Sequence, residues 1–189
     1  MTTYHEDVPE DIVLELVRRL PPQSRVLDLG CGVGRNALPL AKAGHLVEGR
    51  DHDPEEIRIL HERAAAESVK IKTMTTDLRN FRIGYGRWNA ILGILIYHQF
   101  PEKDGGNLLK YSALNLLPGG YLALVLMTGS GDLAKIFRNN FYPKANDVLD
   151  MFASWEIISR NIDVIPCKTK EIKSGLQNER LTLLVRKSS

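Results

Sequence analysis

Three aspartates stand where strand-like segments give way to loops: Asp28, Asp51 and Asp77. The first lies directly before a glycine-rich turn, Gly30-Cys31-Gly32-Val33-Gly34, followed by Arg35 and Asn36. Glycines in such a turn let the backbone reverse sharply and approach a ligand closely. A helix starting near Asn36 would present unpaired N–H groups to whatever sits above it. Asp51 ends a second strand, where a carboxylate can accept two hydrogen bonds from a ribose diol. Asp77, in Thr75-Thr76-Asp77-Leu78, is placed to accept from an adenine amino group, and the Leu78 N–H can serve a ring nitrogen.

A ribose-binding acid serves several nucleoside cofactors alike, so Asp51 alone does not discriminate. Two other features do. A pyrophosphate-binding G-x-G-x-x-G begun at Gly30 needs glycine at position 35, and Arg35 stands there. A pyrophosphate also has no use for a carboxylate at Asp28, whereas a ligand with an α-amino group does.

The remaining reactive side chains are weaker candidates. His98, in Tyr97-His98-Gln99-Phe100, is the one group placed to act as a general base. Cys31 reads better as a small buried hydrophobe than as a nucleophile. His52 lines any site that Asp51 serves. Asp53 reads as a helix cap. His5, His45, His52 and His61 lack metal-ligand spacing, so no metal is expected. Lys168, Lys170 and Lys173 read as a solvated loop, with a lid over an anionic substrate as the alternative.

These residues need a scaffold, and the hydrophobic periodicity supplies one. Val8–Leu20 reads as an amphipathic helix ended by Pro21-Pro22. RVLDL (25–29), HLVEGR (45–50), VKIKTM (69–74), WNAILGILIY (88–97) and YLALVLM (121–127) read as strands. Helices are expected from the glycine turn to about Lys42, from Asp53-Pro54, and over 104–117. Asp53 is at a cap position, Pro54 at the first helical position and Glu56 at the capping-box position. The 78–87 connection, with Gly84 and Gly86, is too broken for a helix. This alternation indicates a parallel, doubly wound sheet. Residues 128–142 read as an excursion over it, with Gly129 and Gly131 as hinges and Phe137, Phe141 and Tyr142 either covering a pocket or packing the excursion down. Pro143–Phe152 returns to helix. Residues 155–166 and 180–187 form an antiparallel pair at one sheet edge.

The 189 residues, 43% apolar and 25% charged with a net charge of +2, read as one domain spanning 1–189. That small charge gives no footprint for nucleic acid. No apolar run reaches the ~18 residues needed to span a bilayer. The N-terminus has no signal-peptide pattern. Two distant cysteines form no bridge framework, so a cytoplasmic setting is expected.

VLDLGCGVGRNALPLAKAGHLVEGRDHD, with TTDLRNF and LLPGGYLALV downstream, resembles the class I S-adenosylmethionine-dependent methyltransferases. Within them it looks most like the tellurite-resistance methyltransferase group, through Gly34-Arg35-Asn36 and Asp51. The resemblance covers residues 13–127 well and the final hairpin loosely. It implies a Rossmann-like, mostly parallel α/β sheet of seven strands with an antiparallel C-terminal edge hairpin. It implies S-adenosylmethionine as cofactor. Asp28, Gly30, Gly32 and Gly34 would surround the methionine end, and Cys31, Arg35 and Asn36 of the same turn are counted with the cofactor site. Asp51 and His52 would lie at the ribose, Asp77 and Leu78 at the adenine. Ile94 and Leu95, at the end of the fourth strand, are counted with the cofactor site. Tyr97, His98, Gln99 and residues near Thr128 would border the acceptor, with Tyr97 and His98 as catalytic candidates.

The chain departs from that group around Pro166–Gln177, where no histidine or arginine occurs, and Pro39 is tolerable only in the first turn of its helix. The reading is methyl transfer to a small, soft or ionised nucleophile, because no carboxylate is evident near the expected acceptor. A cofactor-binding protein without turnover, acting as sensor or partner subunit, stays open, as does a dinucleotide-dependent oxidoreductase. A small-molecule substrate is expected, without nucleic acid or membrane; the sequence leaves oligomeric state open.

Overall fold

The computed structural model describes residues 8–167 and 175–188. His5, Lys168, Lys170 and Lys173 lie outside them. The elements run α1 (Asp11–Arg19), β1 (Arg25–Leu29), α2 (Ala37–Lys42), β2 (Leu46–Asp51), α3 (Pro54–Ala66), β3 (Lys72–Thr75), β4 (Trp88–Ile94), α4 (Glu102–Leu114), β5 (Leu116–Met127), α5 (Asp132–Ile136), α6 (Ala145–Met151), β6 (Glu156–Pro166) and β7 (Gln177–Arg186). Seven strands form one sheet in the order β3-β2-β1-β4-β5-β7-β6. β1 to β5 pair in parallel, and β7 runs antiparallel between β5 and β6. The expected α/β architecture and its C-terminal edge hairpin are both present.

Side-chain alternation along β1 divides the core. Leu27 and Leu29 join the cluster that α4 and α6 cover through Leu108, Leu109 and Val148. Val26 joins the opposite cluster, covered by Ile12, Val13 and Leu16 of α1 and by Ala37, Leu40 and Ala41 of α2. Each Val, Leu or Ile among them contributes about 1.5–3 kcal/mol by leaving water. Helices on both faces of a parallel sheet place ligand crevices at the carboxyl ends of the strands, where strand order reverses. Here that switch lies between β1 and β4.

Local chemistry explains the boundaries. α3 begins where Asp53 accepts from the Glu55 N–H at 2.8 Å, with Pro54 in the first turn. The Asp53 N–H is given to Asp51 Oδ1 at 3.1 Å. Pro39 falls in the first turn of α2, where no intrahelical donor is lost. No helix follows β3. Instead Arg50 of β2, hydrogen-bonded to Glu48, lies over the Phe81 ring at 4.5 Å, and Lys72 reaches Glu48 at 2.9 Å.

Two expectations need correction. The fourth strand ends at Ile94 and does not continue to Tyr97. Leu95 takes a left-handed φ of 56°, and a short 3₁₀ turn covers Tyr97–Gln99. The following helix spans Glu102–Leu114 and not 104–117, because Leu116 and Leu117 already belong to β5. Both apolar runs cross a backbone reversal that hydrophobicity alone does not register.

Candidate cofactor and acceptor site

The glycine turn, the ends of β2 and β3 and the segment after β4 enclose a cleft of ≈ 250 Å³, lined in part by Gly30, Asp51, His52, Asp77, Leu78 and Ile96. Five of these six residues carry expected cofactor roles. Gly30 has φ +71°, and a Cβ there would sit 2.5 Å from Ile96 Cδ1. Gly34 has φ +89°, and its Cβ would overlap Leu60. Gly34 is therefore required by conformation and by packing on α3.

Asp51 is buried and organises the turn. Its Oδ2 accepts the Gly32 N–H at 2.9 Å, and its Oδ1 accepts the Asp53 N–H. His52, 77% exposed at its side chain, keeps Nδ1 3.2 Å from Asp51 Oδ1. Asp77 is bracketed by Arg79, which donates from its backbone N–H and Nε at 3.0 Å and from Nη2 at 2.6 Å. Arg79 holds the Asp77 carboxyl below its ordinary value, chiefly by those side-chain bonds. Sequence reasoning missed Arg79 and Ile96 as cleft residues.

Asp28 lies below the turn at 1% exposure, and its Oδ2 is buried with no hydrogen-bond partner. Burial, and then the charge of Asp51, push its carboxyl up to about 7, against the pull of Arg35. A buried carboxylate with an unmet oxygen fits a ligand ammonium. Arg35 and Asn36 face the N-terminal segment. Arg35 Nη1 donates to Glu10 Oε1 at 3.0 Å, and Asn36 Oδ1 accepts the Glu10 N–H at 3.1 Å.

Three expected residues are turned away from the cleft. Cys31 is buried with Leu38, Ile57 and Leu60, and its main chain is occupied, the N–H donating to Arg50 O at 3.1 Å and the carbonyl accepting from the Gly34 N–H at 2.9 Å. Burial and the nearby Asp28 and Asp51 raise its thiol pKa. Ile94 and Leu95 pack in the α1-side core. Among the described residues no group of His, Cys, Asp and Glu could hold a metal ion.

Tyr97 is corrected more firmly. It is 0% exposed, its ring folds back over Gly93, and its hydroxyl donates to Ser112 Oγ at 3.2 Å. Desolvation raises its phenol further. It packs the core, with its side chain fully enclosed. His98 follows on the 3₁₀ turn with its ring 5.9 Å from that of Tyr142. Its Nδ1 is buried and unpartnered, and burial lowers the imidazole to about 4. It is thus a neutral hydrogen-bonding group at physiological pH.

The excursion is fastened in this structure. Phe141 N–H donates to Phe100 O at 2.9 Å, Glu102 N–H to Asn139 O at 2.9 Å, and Gly129 N–H to Pro143 O at 3.0 Å. Gly129 and Gly131 allow close backbone approach: a Cβ would meet Tyr142 O at 3.1 Å and Asn178 at 3.0 Å. A carboxylate absent from the sequence reading also appears. Thr128 Oγ1 donates to Glu179 Oε1 at 2.6 Å at the end of β5. Only the β5–β7 register, with Met127 opposite Arg180, brings Glu179 there. No signal in the linear sequence carries that register.

The family model described as "Tellurite resistance protein TehB" matches residues 1–180. The probable S-adenosyl-L-methionine-dependent methyltransferase TehB of Haemophilus influenzae (strain 10810) is 26% identical over 188 residues, covering 99% of this chain and 63% of that protein. The crystal structure of TehB from Haemophilus influenzae superposes with a TM-score of 0.82 at 25% identity, covering 98% of this chain and 64% of that one. The chain thus spans less than two thirds of the length of these relatives. The N-methyltransferase NodS from Bradyrhizobium japonicum WM9, in complex with S-adenosyl-L-homocysteine, shares the fold with a TM-score of 0.68 at 17% identity, over 94% of this chain and 84% of that one. Among the described residues no helix is long and apolar enough to cross a membrane.

Proposed function

The chain belongs to the TehB tellurite-resistance family of class I S-adenosylmethionine-dependent methyltransferases, and we propose that it transfers a methyl group from S-adenosylmethionine to a small, soft or ionised nucleophile. The observation that carries the cofactor half is the buried, unpartnered Oδ2 of Asp28 beneath the turn that follows β1, with the adjacent β2 ending in Asp51 and β3, next beyond it, ending at Thr75 just before Asp77. Asp28 is the partner for the α-ammonium. Asp51 holds the ribose diol while fixing Gly32. Asp77 and the Leu78 N–H read the adenine, with Arg79 keeping Asp77 ionised. The whole of 1–189 acts as one domain in this reading.

Bound S-adenosylmethionine would supply a methyl group already activated on a sulfonium. The protein's share of the work is alignment and exclusion of water. His98, neutral and half-buried beside Tyr142, donates or accepts one hydrogen bond to orient the acceptor. It is too weakly basic to remove a proton from a hydroxyl or amine near neutrality. That supports an acceptor that arrives ionised, such as a thiolate or a metalloid oxyanion.

His98→Ala is therefore expected to lower kcat/KM only modestly, by about tenfold or less, with no loss of a titration near pH 6–7. Rates from pH 5.5 to 8.5 with a labelled-methyl assay over an acceptor panel check this. A wild-type rate rising through pH 6–7 that His98→Ala abolishes by ~10²-fold contradicts it.

Glu179 beside Thr128 favours a second reading, in which a neutral amine or hydroxyl is the acceptor and Glu179 takes its proton. Glu179→Gln separates the two. Loss of turnover with neutral acceptors and retention with thiolates supports the second reading.

A further inference from the structure

Glu10 precedes α1 and is far in sequence from every residue considered for the cofactor, yet it touches the turn that would hold it. Its backbone N–H donates to Asn36 Oδ1 at 3.1 Å. Its carboxylate is shared between two arginines, one in the glycine turn's loop and one on a strand. Oε1 accepts from Arg35 Nη1 at 3.0 Å, and Oε2 lies 3.6 Å from Arg180 Nη1 on β7. Arg180 is itself clasped by Asp163 of β6, at 3.1 and 2.8 Å. Arg35 also donates to the Val8 carbonyl at 3.4 Å. The side chains of Glu10 and Arg35 are only 15% and 18% exposed, so solvent screens this pair less than an open surface pair.

Arg35 is the cation near Asp28. Its charge opposes the rise that burial and Asp51 impose on that carboxyl. A guanidinium has five N–H donors in a fixed fork. Glu10 and Val8 engage only Nη1, so the fork's orientation is set from one corner. An α-amino acid carries its carboxylate one carbon from its ammonium. If Asp28 takes the ammonium, the carboxylate falls beside it.

We infer that Glu10 is a positioning residue that aims Arg35 at the α-carboxylate of the cofactor's methionine end, and that Arg180 of the closing strands holds Glu10 in place for that task. The inference rests on the cofactor reading above. It couples the N-terminal segment, the glycine turn and the C-terminal hairpin through one carboxylate. Glu10 does not touch the reacting atoms, and its effect is confined to the amino-acid end of the ligand.

That confinement is what the test reads. 5′-Methylthioadenosine has the adenosine of S-adenosylhomocysteine but neither its ammonium nor its carboxylate. Calorimetric titration of both ligands is compared between wild type and Glu10→Gln, which keeps size and removes charge. The expected result is about tenfold weaker S-adenosylhomocysteine binding with 5′-methylthioadenosine affinity unchanged. Arg180→Gln should show a smaller loss of the same selectivity, and the double variant no more than Glu10→Gln alone, because both act through one network. Equal weakening of both ligands, or no weakening of either, overturns the inference, since a merely structural contact would not distinguish the two. If wild type binds neither ligand, the cofactor reading itself falls, and this inference with it. Circular dichroism of each variant verifies that losses are not unfolding.

Discussion

Asp28→Asn should make the ligand-free protein more stable and nearly abolish its binding of S-adenosylhomocysteine. The Asp28 carboxyl is raised from 3.8 to about 7, by burial first and by the Asp51 charge second. A group whose folded pKa lies above its unfolded value favours the folded state most fully below the unfolded pKa. That advantage is lost as pH rises through the folded pKa. Wild-type stability without ligand should therefore decline between about pH 4 and pH 7 from this residue. At pH 8 the ionised, unpartnered carboxylate destabilises by up to a few kcal/mol. Asparagine is nearly isosteric and uncharged, so thermal melts at pH 8 should show Tm a few degrees higher than wild type. Binding should move the opposite way, weakening about 100-fold or more, because a charge-assisted bond to the ammonium is lost in a buried site. Wild-type affinity should also improve as pH rises through 7, while that of Asp28→Asn stays flat over the same range. A variant that melts lower and binds as well as wild type would show that Asp28 is structural.

Asp51→Ala should weaken S-adenosylhomocysteine binding by about 100-fold or more, through two losses at once. Each charge-assisted hydrogen bond to a ribose hydroxyl contributes about 1.5–3 kcal/mol. The same carboxylate also accepts the Gly32 N–H at 2.9 Å and the Asp53 N–H at 3.1 Å, so the turn loses its anchor. Asp53→Ala is the contrasting variant. Asp53 caps α3 through the Glu55 N–H, and its removal should cost about 0.5–2 kcal/mol of stability and leave binding nearly unchanged. Calorimetric titration and melts of both variants decide the matter. Loss of binding in Asp53→Ala with retention in Asp51→Ala would reverse the assignment.

The parts of this molecule that were legible in the sequence are those fixed by local pattern. The doubly buried runs of β4 and β5, the Asp53-Pro54 helix start and the strand–glycine–helix passage at 25–42 all depend on neighbours in the chain. The acids at 28, 51 and 77 were readable because parallel strands with one direction bring their carboxyl ends to one edge. What the sequence hid depends on register or on a single dihedral. The apolar run 88–97 reads as a strand with Tyr97 as its last residue. One left-handed residue, Leu95, turns the chain and sends the tyrosine ring into the space Gly93 leaves open. Glu179 reaches Thr128, and Arg180 reaches Glu10, only through the antiparallel insertion of β7. A one-residue shift of that strand would exchange the faces on which the two side chains emerge.

The most direct test of the account is titration of the wild-type protein with S-adenosylhomocysteine and, separately, with NAD, followed by calorimetry and by thermal melting. The Asp28–Asp51–Asp77 edge should take up one S-adenosylhomocysteine per chain and raise Tm with increasing ligand. NAD should produce neither heat nor a shift, because its pyrophosphate would meet the Asp28 carboxylate and a turn that carries Arg35 in place of the third glycine. A clear response to NAD with none to S-adenosylhomocysteine would contradict the account.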